Sequence, residues 1–188
     1  MHDVNAQVDL VRVPAGTFVA VQRVLASELD PQDAADRVRR IGMETGRALY
    51  QLFRDRVAAP GGSTGSVEDL ESAAFWSRLE AFFHDLGWGG LEHERLHPGV
   101  ISLWSTDWFE SAAAGDLSQP SCQFTVGALG ELFQEVTTLE VAVMEVRCRA
   151  AGAQECRFLI GSPEALGSVF ERMSGGSHYR EAVAGLPS

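Results

Sequence analysis

The stretch Met144-Glu145-Val146-Arg147-Cys148-Arg149-Ala150-Ala151-Gly152-Ala153-Gln154-Glu155-Cys156-Arg157-Phe158 decides the fold. Leu139–Arg149 alternates in polarity, residues 150–154 turn around Gly152, and Cys156–Ile160 returns. Alternation on both sides of a glycine turn predicts an antiparallel hairpin. Cys148 and Cys156 each stand four residues from Gly152, so this register brings the two thiols side by side. Glu145 lies three residues before Cys148. In a regular strand that spacing puts the side chains on opposite faces, so a bulge or bend near Cys148 is required.

Working outward, a second hairpin is expected over Leu91–His97, a Pro98-Gly99 turn and Val100–Trp104. A polar loop ending in Gln119-Pro120 leads from it to a helix over Ser121 to about Val136. Asp30-Pro31 reads as a helix start, Asp30 capping and Pro31 in the first turn. Ala34, Ala35, Val38, Ile41, Thr45, Ala48, Leu49 and Leu52 then recur at helical steps to roughly Val57. Gly42 and Gly46 within it suggest close packing against another element. Ahead of it, Val8–Arg23 reads as a short strand running into a helix that ends near Leu29.

Pro60–Ser66 has linker composition, and Ser66 is placed to cap an aromatic helix carrying Phe75, Trp76, Phe82 and Phe83 that stops at Gly87. A last helix spans about Pro163–Met173, before a Gly/Ser-rich tail. The predicted class is α+β, an antiparallel sheet of hairpins packed against helices. The expected organisation is one domain over 1–173, with a helical part at 15–58, a linker at 60–66, a core at 67–173 and a flexible tail at 174–188.

The chain of 188 residues carries net charge −11, and all fifteen of its basic residues are arginine. The absence of lysine excludes a Schiff-base lysine, a P-loop lysine and a polybasic membrane tail. The acidic balance disfavours nucleic acid as a partner. No apolar run is long enough to span a bilayer and no signal peptide is visible, so a cytoplasmic location is expected. Three cysteines in a reducing compartment point to metal, catalytic or simply buried thiols.

Cys122 opens the helix before the last hairpin, where the helix dipole favours a thiolate. Cys122, Glu145, Cys148 and Cys156 together offer three thiolates and a carboxylate, a donor set suited to a closed tetrahedral Zn²⁺ site. Spacing alone leaves two alternatives open. The cysteines also suit a core as small hydrophobes, and Cys148 and Cys156 suit a strained cross-strand disulfide.

Phe109-Glu110-Ser111, Pro120-Ser121-Cys122-Gln123-Phe124-Thr125-Val126-Gly127, Met144-Glu145-Val146-Arg147-Cys148, Gly152 and Cys156-Arg157-Phe158 resemble the V4R (4-vinyl reductase) domain family. That family is related to the zinc-binding aromatic-sensor domains of phenol- and toluene-responsive activators and to the TRAPP-type ligand-binding fold. The resemblance is specific over about residues 100–161 and weaker back to about residue 15. It implies a structural zinc on Cys122, Glu145, Cys148 and Cys156, with no open position for catalysis. It also implies an aromatic effector in a buried pocket, contacted by a Trp (Trp104, or else Trp108) and a His (His97, with His93 and His84 as the other choices). The sequence departs from the family in carrying Glu110-Ser111 for Glu-Ala and a shorter loop between Phe109 and Cys122.

The expected function is a zinc-stapled domain that binds or senses a small apolar or aromatic molecule, in a cavity walled by Phe75, Trp76, Phe82, Phe83, Trp104 and Phe124. The chain has no room for an output domain, so a homodimer built on the N-terminal helices or an unidentified protein partner is expected to read the bound state. No catalytic constellation is found, and the domain is not expected to be an enzyme. Two alternatives stand beside this reading: an accessory or chaperone protein of tetrapyrrole (bacteriochlorophyll) metabolism, and a ligand-free interaction scaffold with a filled core.

Overall fold

Asp30 starts a helix as its sequence signal predicts: its Oδ1 accepts the N–H groups of Gln32 and Asp33 at 3.0 and 3.1 Å. The helix it opens, α2 (Pro31–Ala58), is the longest in the computed structural model, which describes residues 10, 11, 13–58, 65–112 and 120–187. Ahead of α2 lies α1 (Gly16–Glu28), none of whose residues is fully buried. The strand expected at the start of Val8–Arg23 is not formed among the described residues there, and most of the 60–66 linker lies outside them.

Ser66 caps, but caps a single 3-10 turn at Val67–Asp69 and not the aromatic helix. That helix, α3 (Ser72–Leu86), begins after the turn and ends where Gly87 takes φ +78°, a left-handed value that glycine adopts at no steric cost. The first hairpin follows as β1 (Glu92–His97) and β2 (Val100–Ser105). Where a polar loop was expected to begin, the chain forms a short helix, α4 (Phe109–Ala112); residues 113–119 of that loop lie outside the described part. Then come α5 (Gln123–Thr137), β3 (Ala142–Arg147), β4 (Cys156–Gly161), α6 (Pro163–Ser174) and α7 (Tyr179–Ala184). The four strands form one antiparallel sheet in the order β1-β2-β4-β3.

Each sheet face has its own core. Leu103, Phe158 and Ile160 face the large core shared with α2, α3 and α5. Val100, Leu159 and Met144, one residue out of phase, face a smaller core closed by α6 and α7. The expectation of a flexible tail over 174–188 is therefore corrected: Tyr179, Ala182 and Val183 of α7 are buried against the sheet. Their spacing of three and four residues puts them on one helical face. Arg180 of α7 pins it further by a forked ion pair to Glu94 at 2.7 and 2.9 Å.

The close packing expected of Gly42 and Gly46 is present. A Cβ on Gly42 would run into the carbonyl of Phe124, and one on Gly46 into that of Ala128. On the other side, a Cβ on Gly127 would meet the carbonyl of Arg39. The backbones of α2 and α5 thus touch reciprocally, and this contact fixes where α5 begins relative to the sheet.

Candidate metal centre

The β3–β4 ladder loses register between Glu145 and Arg147: Glu145 pairs with Phe158, yet Arg147 pairs with Arg157. This is the bulge that the Glu145–Cys148 spacing demanded, and it turns both side chains towards the start of α5. Beyond it the chain makes a 3-10 turn at Arg149–Ala151, with Gly152 at φ +86°. The Cys148 carbonyl accepts from Ala151 and Ala153 at 3.0 and 3.1 Å, which holds the loop tight. Cys156 begins β4. Cys122 is the residue before the first turn of α5.

Three elements therefore deliver four donors to one point. The ligand atoms of Cys122, Glu145, Cys148 and Cys156 all lie within 4.8 Å of one another. Cys122 Sγ is 3.9 Å from Cys148 Sγ and 3.8 Å from Cys156 Sγ, and all three cysteines are free and buried. The disulfide alternative is not realised. Glu145 is half-buried as a residue, but its Oε1 is buried with no hydrogen-bond partner. Its Oε2 accepts the N–H of Cys122 at 2.9 Å. An orphaned carboxylate oxygen beside three sulfurs is costly unless a cation satisfies it, so the four residues fit a metal ion.

Without a cation these acidic groups crowd one another. Burial, then the charge of Cys148, pushes the Glu145 carboxyl up to about 9. The Cys122 thiol is driven far up, first by its hydrogen bond to Cys148 and next by that to Cys156. Cys148 is held well below the usual thiol range, chiefly by the S–H of Cys122. The Arg149 N–H points at Cys156 Sγ at 3.5 Å, and the Ser121 hydroxyl lies 3.8 Å from Cys148 Sγ, so both sulfurs have outer partners.

A second buried acid shares the same helix start. Glu110, 1% exposed, accepts the N–H groups of Phe124 and Thr125 at 3.1 and 2.9 Å and the Thr125 hydroxyl at 2.6 Å. Gln22 of α1 donates to it at 2.9 Å, and Trp108 Nε1 donates to Thr125 Oγ1 at 2.7 Å. Burial raises the Glu110 carboxyl to about 7. Its partners come from two distant parts of the chain, α1 and the start of α5. The one local signal was a glutamate inside the apolar run Trp108-Phe109-Glu110.

The expected pocket residues fall on both faces of the sheet. Phe75 and Trp76 pack at 5.1 Å, and Phe82 and Phe83 at 5.4 Å. Phe83 reaches the fully buried Trp108 at 5.6 Å. These rings fill space against one another. Phe124 joins the same network through Trp88 at 5.7 Å and also packs against Phe18 of α1 at 4.8 Å. Trp104 is on the opposite sheet face, paired with Arg157, whose guanidinium lies 5.5 Å from its ring. His97 accepts the N–H of Gly99 inside its own turn at 3.2 Å. His93 stacks on Trp76 at 4.6 Å and bonds Glu80 at 2.9 Å, and His84 is exposed. Trp104 and His97 are thus set apart from the core aromatics.

Residues 105–162 match the V4R domain family. No curated protein matches the chain. Among solved structures, the phenol-responsive sensory domain of the transcription activator PoxR, bound to phenol, aligns at 14% identity and TM-score 0.68, covering 88% of this chain and 82% of that one. A vinyl-4-reductase family protein from Methanocaldococcus jannaschii aligns at 18% identity and TM-score 0.50, covering 81% and 83%. A trafficking protein particle complex subunit 3 from Naegleria fowleri, covalently bound to palmitic acid, aligns at 12% identity and TM-score 0.61, covering 78% and 91%. At these identities the likeness is one of fold. Among the described residues no helix is long and apolar enough to cross a membrane.

Proposed function

Because residues 105–162 carry a V4R domain, we propose that this chain is a small-molecule-binding sensor domain whose fold is stapled by one structural zinc ion on Cys122, Glu145, Cys148 and Cys156. The observation that carries the metal is the donor geometry. Four ligands arranged tetrahedrally at about 2.3 Å from a zinc ion stand roughly 3.8 Å apart, and the sulfur separations of 3.8 and 3.9 Å agree with that spacing. When bound, zinc supplies charge neutralisation and a cross-link. With four protein donors it is structural, and the domain binds rather than catalyses. The phenol in the sensory domain of similar fold supports a small apolar or aromatic ligand here. A homodimer or a separate protein partner would carry the signal onward.

The core aromatic packing favours one other reading, a ligand-free interaction scaffold, because Phe75, Trp76, Phe82, Phe83 and Trp108 pack ring against ring. Native mass spectrometry of the purified protein, with and without a strong chelator, separates the two. One zinc per chain plus a small-molecule adduct supports the sensor. Zinc without any adduct, and no binding of phenol in a titration, supports the scaffold. Loss of the metal reading would follow from finding three free thiols and no zinc.

A further inference from the structure

The apolar stripe of α2 is not fully covered. Ile41 is 47% exposed, and Val21 of α1 opposite it is 41% exposed. Between them lies a cavity of about 90 Å³, walled also by Phe18, Val38 and Phe124, with Thr17 and Gln22 as its polar residues. Beside it lies a groove of about 580 Å³ between α1, α2 and the Pro120–Gln123 segment, and the two share Gln22 and Val38. The groove is floored by Ala34, Ala35 and Pro31 and carries one cation, Arg39.

Arg39 is underused where it stands. Its Nη2 donates to Gln123 Oε1 at 2.6 Å, which orients the guanidinium. Its Nη1 has a 3.4 Å contact with the half-exposed Asp36, and its Nε is buried with no partner. An anchored guanidinium lining the groove beside an apolar recess suits an anion with an apolar body. A cavity of about 150 Å³ accommodates benzene. One of 90 Å³ therefore takes a body of a few carbons or the leading edge of a ring.

We propose that this recess binds a small monocarboxylate, its compact alkyl or aryl body between Phe18, Val38, Ile41 and Phe124 and its carboxylate on Arg39. This rests on the small-molecule reading above and names the ligand class and its place, at the edge of the aromatic core where Phe124 meets α1 and α2. Because α1 forms one wall and hangs on Phe18 and the Gln22–Glu110 bond, an occupant bridges α1 to the start of α5.

The test is isothermal titration of the zinc-loaded full chain with 3-methylbutanoate and benzoate, against 3-methylbutan-1-ol and phenol. The acids are expected to bind at least tenfold tighter than 3-methylbutan-1-ol at low salt. Arg39→Gln is expected to remove that margin. Ile41→Trp, which plugs the exposed mouth without touching the core, is expected to abolish acid binding while leaving zinc content and melting unchanged. Equal affinity for acid and alcohol, or acid binding indifferent to both variants, overturns the proposal. Phenol binding that survives both variants, with no acid binding, overturns this site while keeping the sensor reading. No binding of any of the four probes overturns both.

Discussion

Cys122 Sγ lies 3.8 Å from Cys156 Sγ although 34 residues of chain separate them. The contact exists because α5 begins where the β3–β4 hairpin ends, and a bulge at Glu145–Arg147 turns the hairpin's side chains towards it. Removing one sulfur leaves the others buried around an incomplete site. Cys148→Ala and Cys156→Ala are each expected to lose the metal and to destabilise the whole domain, read as zinc per chain by mass and as a large fall in melting temperature. Wild-type melting in either variant would mean that the cluster is merely a small-residue core. Glu145→Gln, which retains a weak oxygen donor, is expected to lower metal affinity less than either cysteine change.

The touching helices give a sharper packing prediction. Gly127→Ala drives a methyl into the Arg39 carbonyl, and Gly42→Ala drives one into that of Phe124. Backbone cannot rotate away as a side chain can, so each should cost at least about 2 kcal/mol, within the usual range for overpacking. At this chain length that lowers the melting temperature by roughly 5 °C or more. Gly167→Ala is the control: nothing lies within 4 Å of a Cβ there in α6, and the change should stabilise by up to about 1 kcal/mol.

Glu110 makes stability depend on pH with a defined sign. Its carboxyl is raised from 4.5 to about 7 by burial, so the folded state binds its proton more tightly than the unfolded one. The resulting stabilisation is complete below about pH 4.5. It is lost as pH rises to about 7, by on the order of 3 kcal/mol. Glu110→Gln does not titrate. The unfolding free energy of wild type minus that of the variant, measured by urea at fixed zinc, should fall between pH 4.5 and 7 and then level. A difference that stays flat would show that the four donors around Glu110 keep it ionised.

Two tryptophans should separate cleanly. Trp104→Ala removes a half-exposed ring from beside Arg157 and should cost about 0.5–1 kcal/mol, with zinc content unchanged. Trp108→Phe removes the donor to Thr125 from a fully buried site and should cost about 1 kcal/mol or more. It should also remove the most blue-shifted part of the fluorescence emission. Metal loss in the Trp104 variant would contradict its place on the far sheet face.

The sheet and the clustering of Cys122, Glu145, Cys148 and Cys156 are legible in the sequence because their signals are local and few. Asp30-Pro31, Gly87, Pro98-Gly99 and Gly152 punctuate the chain where the structure turns, and three cysteines leave little choice of partners. Trp104 was misplaced through a phase question: period two puts it with Val100 and Ser102, and only the α6–α7 layer reveals that this face is a second core. The α7 helix hid behind Ser174-Gly175-Gly176-Ser177, since a single helical turn of buried residues barely registers against a glycine-rich background. Glu110 could not be assigned a role because Gln22, Phe124 and Thr125 meet it only in three dimensions.

The reciprocal glycine contact also has a mechanical meaning. Two helices separated by side chains can shear, since rotamers absorb a small slide. Where carbonyls rest directly on glycines, no such cushion exists. A displacement at the sulfur-anchored end of α5 is therefore handed to α2 undamped, with Gly42 as the fulcrum. Since α2 runs on from Gly42 to Ala58, about 24 Å at 1.5 Å per residue, a tilt of a few degrees there becomes a movement of about an ångström at its far end. The domain carries its own lever.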